Sequence, residues 1–187
     1  MNIPVVWVIG APCSGKGTQS EKIAGKYGFK HIDPTFLVDI EIDTHTAAGK
    51  KFQQMRLTGQ EIPLEEMVPL IEKELMGNRG GLKGLVIDGY PTNFDEAEIL
   101  EHRIGTPDLI VALDVQEDIT SRRTSRAGSV GRASVAEHRA STQPILTNYA
   151  LITLQVNGEE EPDQVFEVIS EHMDNLVKNR KQIKIGR

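Results

Sequence analysis

The 187-residue sequence predicts an α/β fold of three layers, with helices on both faces of a mainly parallel sheet. Three observations predict it. Continuous apolar, β-branched runs at 5–9, 85–87 and 109–115 suit strands buried on both faces. Segments with helical spacing lie between them. A glycine-rich turn at 10–18 joins the first strand to the first helix.

Taken in order, Val5-Val6-Trp7-Val8-Ile9 reads as the first strand. Beyond the turn, Ile23, Ala24 and Tyr27 recur at helical spacing and Gly28 supplies a stop. Residues 29–32 read as a short second strand. Helical patterns follow at 35–42, 46–58 and 63–76, with Gly59 and Pro63 between the last two. The strand ending at Asp88 lies between Gly84 and Gly89, and a polar helix follows at about 92–102. After the strand at 109–115, residues 151–156 read as another. The last helix starts after Pro162, with Val165, Phe166, Val168, Ile169, Met173, Leu176 and Val177 as its buried stripe.

Two segments read as insertions. Residues 33–62 are mostly helical, and 121–140 hold Arg122, Arg123, Arg126, Arg132 and Arg139. The end of the chain, 178–187, has five basic and no acidic residues. It reads as a solvated, frayed end, with a partner-binding arm as the alternative. The expected organisation is one domain over 1–187: a core of 1–32, 63–120 and 141–178, insertions at 33–62 and 121–140, and a tail at 179–187.

Composition narrows the function. A net charge of −6 gives no sign of a nucleic-acid or membrane-binding face. One cysteine, Cys13, excludes an internal disulfide and a multi-cysteine metal site. No apolar stretch approaches the roughly 20 residues that span a bilayer, and no signal-peptide pattern opens the chain. A cytoplasmic monomer is the expectation. The five histidines lack metal-ligand spacing, so none is assigned a role. Trp7, Tyr27 and Phe166 read as core residues.

The turn carries the chemistry. Gly10-Ala11-Pro12-Cys13-Ser14-Gly15-Lys16 fits G-x-x-x-x-G-K, followed by Gly17 and Thr18. Glycines let successive backbone N–H groups converge on phosphate oxygens, and the helix start adds its positive dipole end. Lys16 can reach the β- and γ-phosphates. This strand–loop–helix context defines a P-loop NTPase fold. Gly10, Cys13, Ser14, Gly15, Lys16, Gly17 and Thr18 are the expected nucleotide-binding residues. Gly17 offers no hydroxyl to Mg²⁺, which throws the ion onto water and a second-strand carboxylate, Asp88. In Cys13, the helix N-terminus could activate the thiol, but a small tolerated side chain is the simpler reading.

The motifs together resemble the adenylate kinase family, in its short-lid form, from about residue 3 to 177. Gly10 to Gln19 (GAPCSGKGTQ) is similar to the family signature, in which glycine usually stands where Cys13 is. Ala48-Gly49-Lys50-Lys51 resembles the monophosphate-binding helix, and Gly59-Gln60-Glu61-Ile62-Pro63-Leu64 the segment that receives the acceptor adenine. Asp88-Gly89-Tyr90-Pro91 matches D-G-[FY]-P, and Arg103-Ile104-Gly105-Thr106-Pro107 the stretch before the next strand. The resemblance implies ATP or ADP with Mg²⁺, and transfer of the γ-phosphoryl to AMP. It further implies a nucleotide contact for Arg122 and catalytic roles for Lys16, Arg126 and Arg132, the last being similar to the first lid arginine. It makes 33–62 the acceptor-side insertion and 121–140 the lid.

The departures lie on the acceptor side and in the lid. Where the family reads S-T-G-D-L-L-R, this chain reads Asp33-Pro34-Thr35-Phe36-Leu37-Val38-Asp39, so Asp39 replaces an arginine expected to hold the acceptor phosphate. Thr92 replaces a second such arginine, and Glu96 a glutamine expected to read the acceptor adenine. Ala133 and Ser134 replace two lid aspartates, and the chain is about nine residues short between Gly131 and Pro144; Arg139 is a candidate substitute for a lost lid arginine. Phosphoryl transfer depends mainly on positioning and positive charge. The first expectation is therefore an ATP/ADP-binding protein with phosphoryl transfer weak or lost and a structural or regulatory role, which leaves room for a protein partner. The alternative is an active nucleoside monophosphate kinase with relocated acceptor contacts, for which Lys50, Lys51 and Arg56 are available. A scaffold without nucleotide is argued against by Gly15, Lys16 and Asp88.

Overall fold

A computed structural model describes the backbone of residues 3–77, 81–127 and 134–185, and their side chains except at 124–127 and 181–185. Five strands form one parallel sheet in the order β2-β3-β1-β4-β5: β1 (Val5–Gly10), β2 (Lys30–Ile32), β3 (Leu85–Asp88), β4 (Leu109–Asp114) and β5 (Thr153–Asn157). The central strand explains the layering. Val5, Trp7 and Ile9 point into one core, with Leu85, Ile87, Ile110 and residues of the helices on that face. Val6 and Val8 point into the other, with Ile23, Val165, Ile169 and Met173. Period-two alternation in strands apolar on both faces thus yields three layers.

The helices are α1 (Lys16–Tyr27), α2 (Pro34–Asp43), α3 (Ala47–Leu57), α4 (Leu64–Met76), α5 (Phe94–Arg103), α6 (Glu117–Ala127), α7 (Val135–Asn148) and α8 (Pro162–Ile185). Their starts have local causes. Asp33 caps α2 by accepting from the N–H groups of Thr35 and Phe36, with Pro34 at the first helical position. Thr46 caps α3 and Asn93 caps α5. Ser134 and Glu137 form a reciprocal capping box on α7. Gly28, at φ 66, ends α1.

Three sequence expectations shift. Leu151 lies in a 3₁₀ turn and is fully exposed, so the fifth strand starts at Thr153. Val168 stands 44% exposed, outside the buried stripe of α8. The segment read as a frayed tail is helical as far as Ile185, because Arg180 reaches back to Asp108, whose carboxylate also accepts from the Val5 N–H. The stretch read as a lid is largely helical where described: 121–127 belong to α6 and 135–140 to α7. Residues 33–62 contain α2 and α3, packed on each other and joined to α4 by the Lys73–Glu41 ion pair at 3.0 Å. No helix among the described residues is long and apolar enough to cross a membrane.

Candidate nucleotide site

The carboxyl ends of β1, β3 and β4 converge on the loop at 10–15, where ligands bind in open parallel sheets. Gly10 has no room for a side chain: a Cβ there would lie 2.7 Å from Ser14 Oγ and 2.8 Å from the Leu113 carbonyl. Gly15, at φ 99, sits at the cap of α1 in a conformation glycine adopts without cost. Cys13, where the resemblance would place glycine, adopts φ 60. Lys16 folds over the loop, its ammonium donating to the Gly10 and Ala11 carbonyls at 2.8 Å each. Ser14 Oγ is buried without a hydrogen-bond partner among the described residues, a polar group that a ligand or water would satisfy.

Asp88 faces this loop. A Cβ on Gly17 would stand 3.6 Å from Asp88 Oδ2, and one on Gly89 3.7 Å from Lys16 Cε. His31 Nε2 lies 3.0 Å from Asp88 Oδ2. That hydrogen bond raises the His31 pKa above its ordinary value, although burial works against it. Among the described residues no group of three or more His, Cys, Asp and Glu side chains converges to hold a metal. One carboxylate beside a phosphate loop is the donor set that suits Mg²⁺ held largely by water and phosphate.

Two cavities flank the loop. One, of about 240 Å³, is lined by Cys13, Gly15, Thr18, Arg123 and Gly158 on the α1–α8 side. The other, of about 220 Å³, is lined by Gly10, Ala11, Asp114, His138, Arg139 and Thr142, on the α7 side.

The arginines are distributed unevenly. The Arg122 side chain is 71% exposed and pairs with Asp118 one turn away at 3.4 Å. Its neighbour Arg123 turns inward and donates to the carbonyls of Gly158 at 3.1 Å and Cys13 at 3.4 Å. Arg139 donates to Asp114 Oδ1 through Nε and Nη2, at 3.2 and 2.8 Å. Arg126 lies on α6 with its side chain outside the described residues, and Arg132 lies outside them altogether. Sequence reasoning gave Arg123 and His138 no separate part. The phase of α6 could have suggested Arg123, because adjacent helical residues point about 100° apart.

On the opposite side, Asp39 Oδ1 accepts from Arg56 Nη1 at 2.5 Å. Lys51 pairs with Glu66 at 2.6 Å. Glu96 Oε2 accepts from both the N–H and the hydroxyl of Thr92, at 2.7 and 2.8 Å, while Asn93 accepts from the Glu96 N–H. Thr92 and Glu96 are thereby spent on the start of α5. Lys50 is exposed. The peptide bond between Tyr90 and Pro91 is cis.

A glycine loop between a central parallel strand and a helix, a lysine folded over it and a carboxylate at the end of the neighbouring strand mark a P-loop nucleotide-binding protein. The family follows from comparison with known proteins. A family model described as adenylate kinase matches residues 8–183, and the chain belongs to that family. It is 34% identical over 184 residues to adenylate kinase isoenzyme 1 of Homo sapiens, covering 92% of this chain and 95% of that one. Adenylate kinase 1 of Drosophila melanogaster is 30% identical over 193 residues, covering 97% and 84%. Adenylate kinase isoenzyme 5 of Mus musculus is 32% identical over 185 residues, covering 92% of this chain but 33% of the longer relative. Adenylate kinases use ATP and ADP with Mg²⁺.

Proposed function

We propose that this chain binds ATP or ADP on its phosphate loop and transfers phosphate to AMP weakly or not at all, serving a structural or regulatory role. In this reading Gly10, Cys13, Ser14, Gly15, Lys16, Gly17 and Thr18 hold the phosphates, with Arg122 as a further nucleotide contact. Asp88 holds Mg²⁺ through water; the ion, when bound, neutralises charge on the phosphates. Lys16, Arg126 and Arg132 are the groups for any residual transfer. The setting is a monomer in the cytoplasm.

The acceptor side carries the proposal. Asp39 stands where an acceptor-phosphate arginine is expected and is paired with Arg56, the nearest arginine in sequence. Thr92 stands at the second such position and is tied to Glu96. Losing the charged partner of a bound anion costs about 2–5 kcal/mol, or roughly 30- to 5,000-fold in affinity. Introducing a carboxylate adds repulsion.

The rival reading, an active nucleoside monophosphate kinase with altered acceptor contacts, draws support from the relatives named as adenylate kinases. A coupled assay with MgATP and each nucleoside monophosphate separates the two. The proposal expects turnover well below the common enzyme range of about 1–1,000 s⁻¹. Turnover inside that range with any monophosphate would establish the rival.

A further inference from the structure

The phosphate loop opens on a tight turn. The Ser14 N–H donates to the Ala11 carbonyl at 3.1 Å, across Pro12 and Cys13. Proline at the second position and a positive φ at the third follow the pattern of a type II turn. That third position favours glycine, yet this chain has Cys13 there, at φ 60. A residue with a Cβ adopts this left-handed conformation against a steric cost. The closed turn is therefore strained, and opening it would let Cys13 relax.

Arg123 opposes that opening. The Cys13–Ser14 peptide is held at both ends: its N–H closes the turn on Ala11, and its carbonyl accepts from Arg123 Nη1 at 3.4 Å. The same nitrogen donates to the Gly158 carbonyl at 3.1 Å. Gly158 in turn sits against the loop, since a Cβ there would stand 2.8 Å from Val115 Cγ2 and 3.0 Å from the Ser14 carbonyl. Its own N–H is fixed to the end of β4, donating to the Asp114 carbonyl at 2.8 Å. One guanidinium on α6 thus ties the turn to a segment that the sheet already holds. The Ala11 carbonyl, which closes the turn, is also one of the two on which the Lys16 ammonium rests. The shape of the turn therefore bears on where that ammonium lies.

We propose that Arg123 is a positioning residue for the nucleotide. Without touching the ligand, it keeps the turn from Ala11 to Ser14 closed, and with it the loop N–H groups and Lys16 in place for phosphate. The chain needs this support because residue 13 carries a side chain. This rests on the nucleotide-binding reading above.

Calorimetric titration of ATP with Mg²⁺ into wild type, Arg123→Met, Cys13→Gly and the double variant tests it. Arg123→Met should bind ATP about tenfold more weakly than wild type, the effect of losing one hydrogen bond from a charged group. In the Cys13→Gly background, where the turn carries no strain, the same change should cost less than about threefold. A guanidinium that bound the nucleotide directly, or drew it in by charge alone, would cost the same in both backgrounds. Equal losses, or no loss in the Cys13 background, would overturn the inference while leaving nucleotide binding intact. Wild type failing to bind ATP would overturn both. Melting curves of the four proteins, followed by the fluorescence of Trp7, the sole tryptophan, give a second readout. Arg123→Met unfolded in both backgrounds would make Arg123 a determinant of the fold and would also overturn the inference. Folding regained with Cys13→Gly would support it.

Discussion

Replacing His138 by glutamine removes a titrating group whose charged form the fold disfavours. The folded protein holds this imidazole at a pKa of about 4, through burial and the nearby Lys16 charge. An unfolded chain returns it to about 6.5. Above both values the ring is neutral in either state and pH has no effect through it. As pH falls from about 6.5 to about 4, the unfolded chain takes up a proton that the folded chain refuses, so stability is lost across that window. Relative to pH 8, the loss reaches at most about 2 kcal/mol at pH 5. For a chain of this size that is roughly 4–8 °C in melting temperature. Trp7 is buried at the centre of the sheet and is the sole tryptophan, so its fluorescence reports global unfolding. Carboxylates titrate in the same range, and the comparison is therefore between wild type and His138→Gln. Wild type should lose more than the variant between pH 8 and pH 5, by up to about 4–8 °C. Equal losses would show that His138 is not held neutral beside the phosphate loop.

Two further substitutions probe the acceptor side. Asp39→Ala removes a carboxylate and releases Arg56. AMP affinity measured by calorimetry should rise about tenfold, equivalent to relieving ~1.4 kcal/mol of like-charge repulsion; unchanged affinity would remove Asp39 from the account. Gly49→Ala places a Cβ 1.8 Å from the Glu41 carbonyl, forcing α2 and α3 apart. It should cost about 1–3 kcal/mol in chemical denaturation, and a neutral result would mean that the contact is not tight.

The features that were legible in the sequence are those set by neighbours in the chain. The strand ending at Gly10 announces itself by an unbroken apolar run, and the phosphate loop by spacing alone. The helix start near Pro63 follows from local backbone preference. What escaped depends on contacts between distant segments. Arg180 anchors the end of α8 to Asp108, 72 residues away, and nothing near Arg180 announces that partner. Asp39 could be recognised as a lost arginine, but not as the partner of Arg56, since that requires the packing of α2 on α3. Glu96 was seen as a change at the adenine position, whereas its carboxylate bonds Thr92 ahead of α5. The inward turn of Arg123 follows from helix phase and the approach of Gly158. His138 looked idle because its place beside Gly10, Ala11 and Asp114 depends on where α7 lies against the sheet, which spacing along the chain does not show.

The proposed function has the donor side of this site accept nucleotide while the acceptor side does not. Parallel calorimetric titrations of ATP and AMP into the wild-type chain, with Lys16→Ala as the control, test it most directly. ATP should bind and weaken sharply in Lys16→Ala, and AMP, lacking both expected arginine partners, should bind much more weakly than ATP. AMP binding as tightly as ATP, or ATP binding unaffected by Lys16→Ala, would contradict the account.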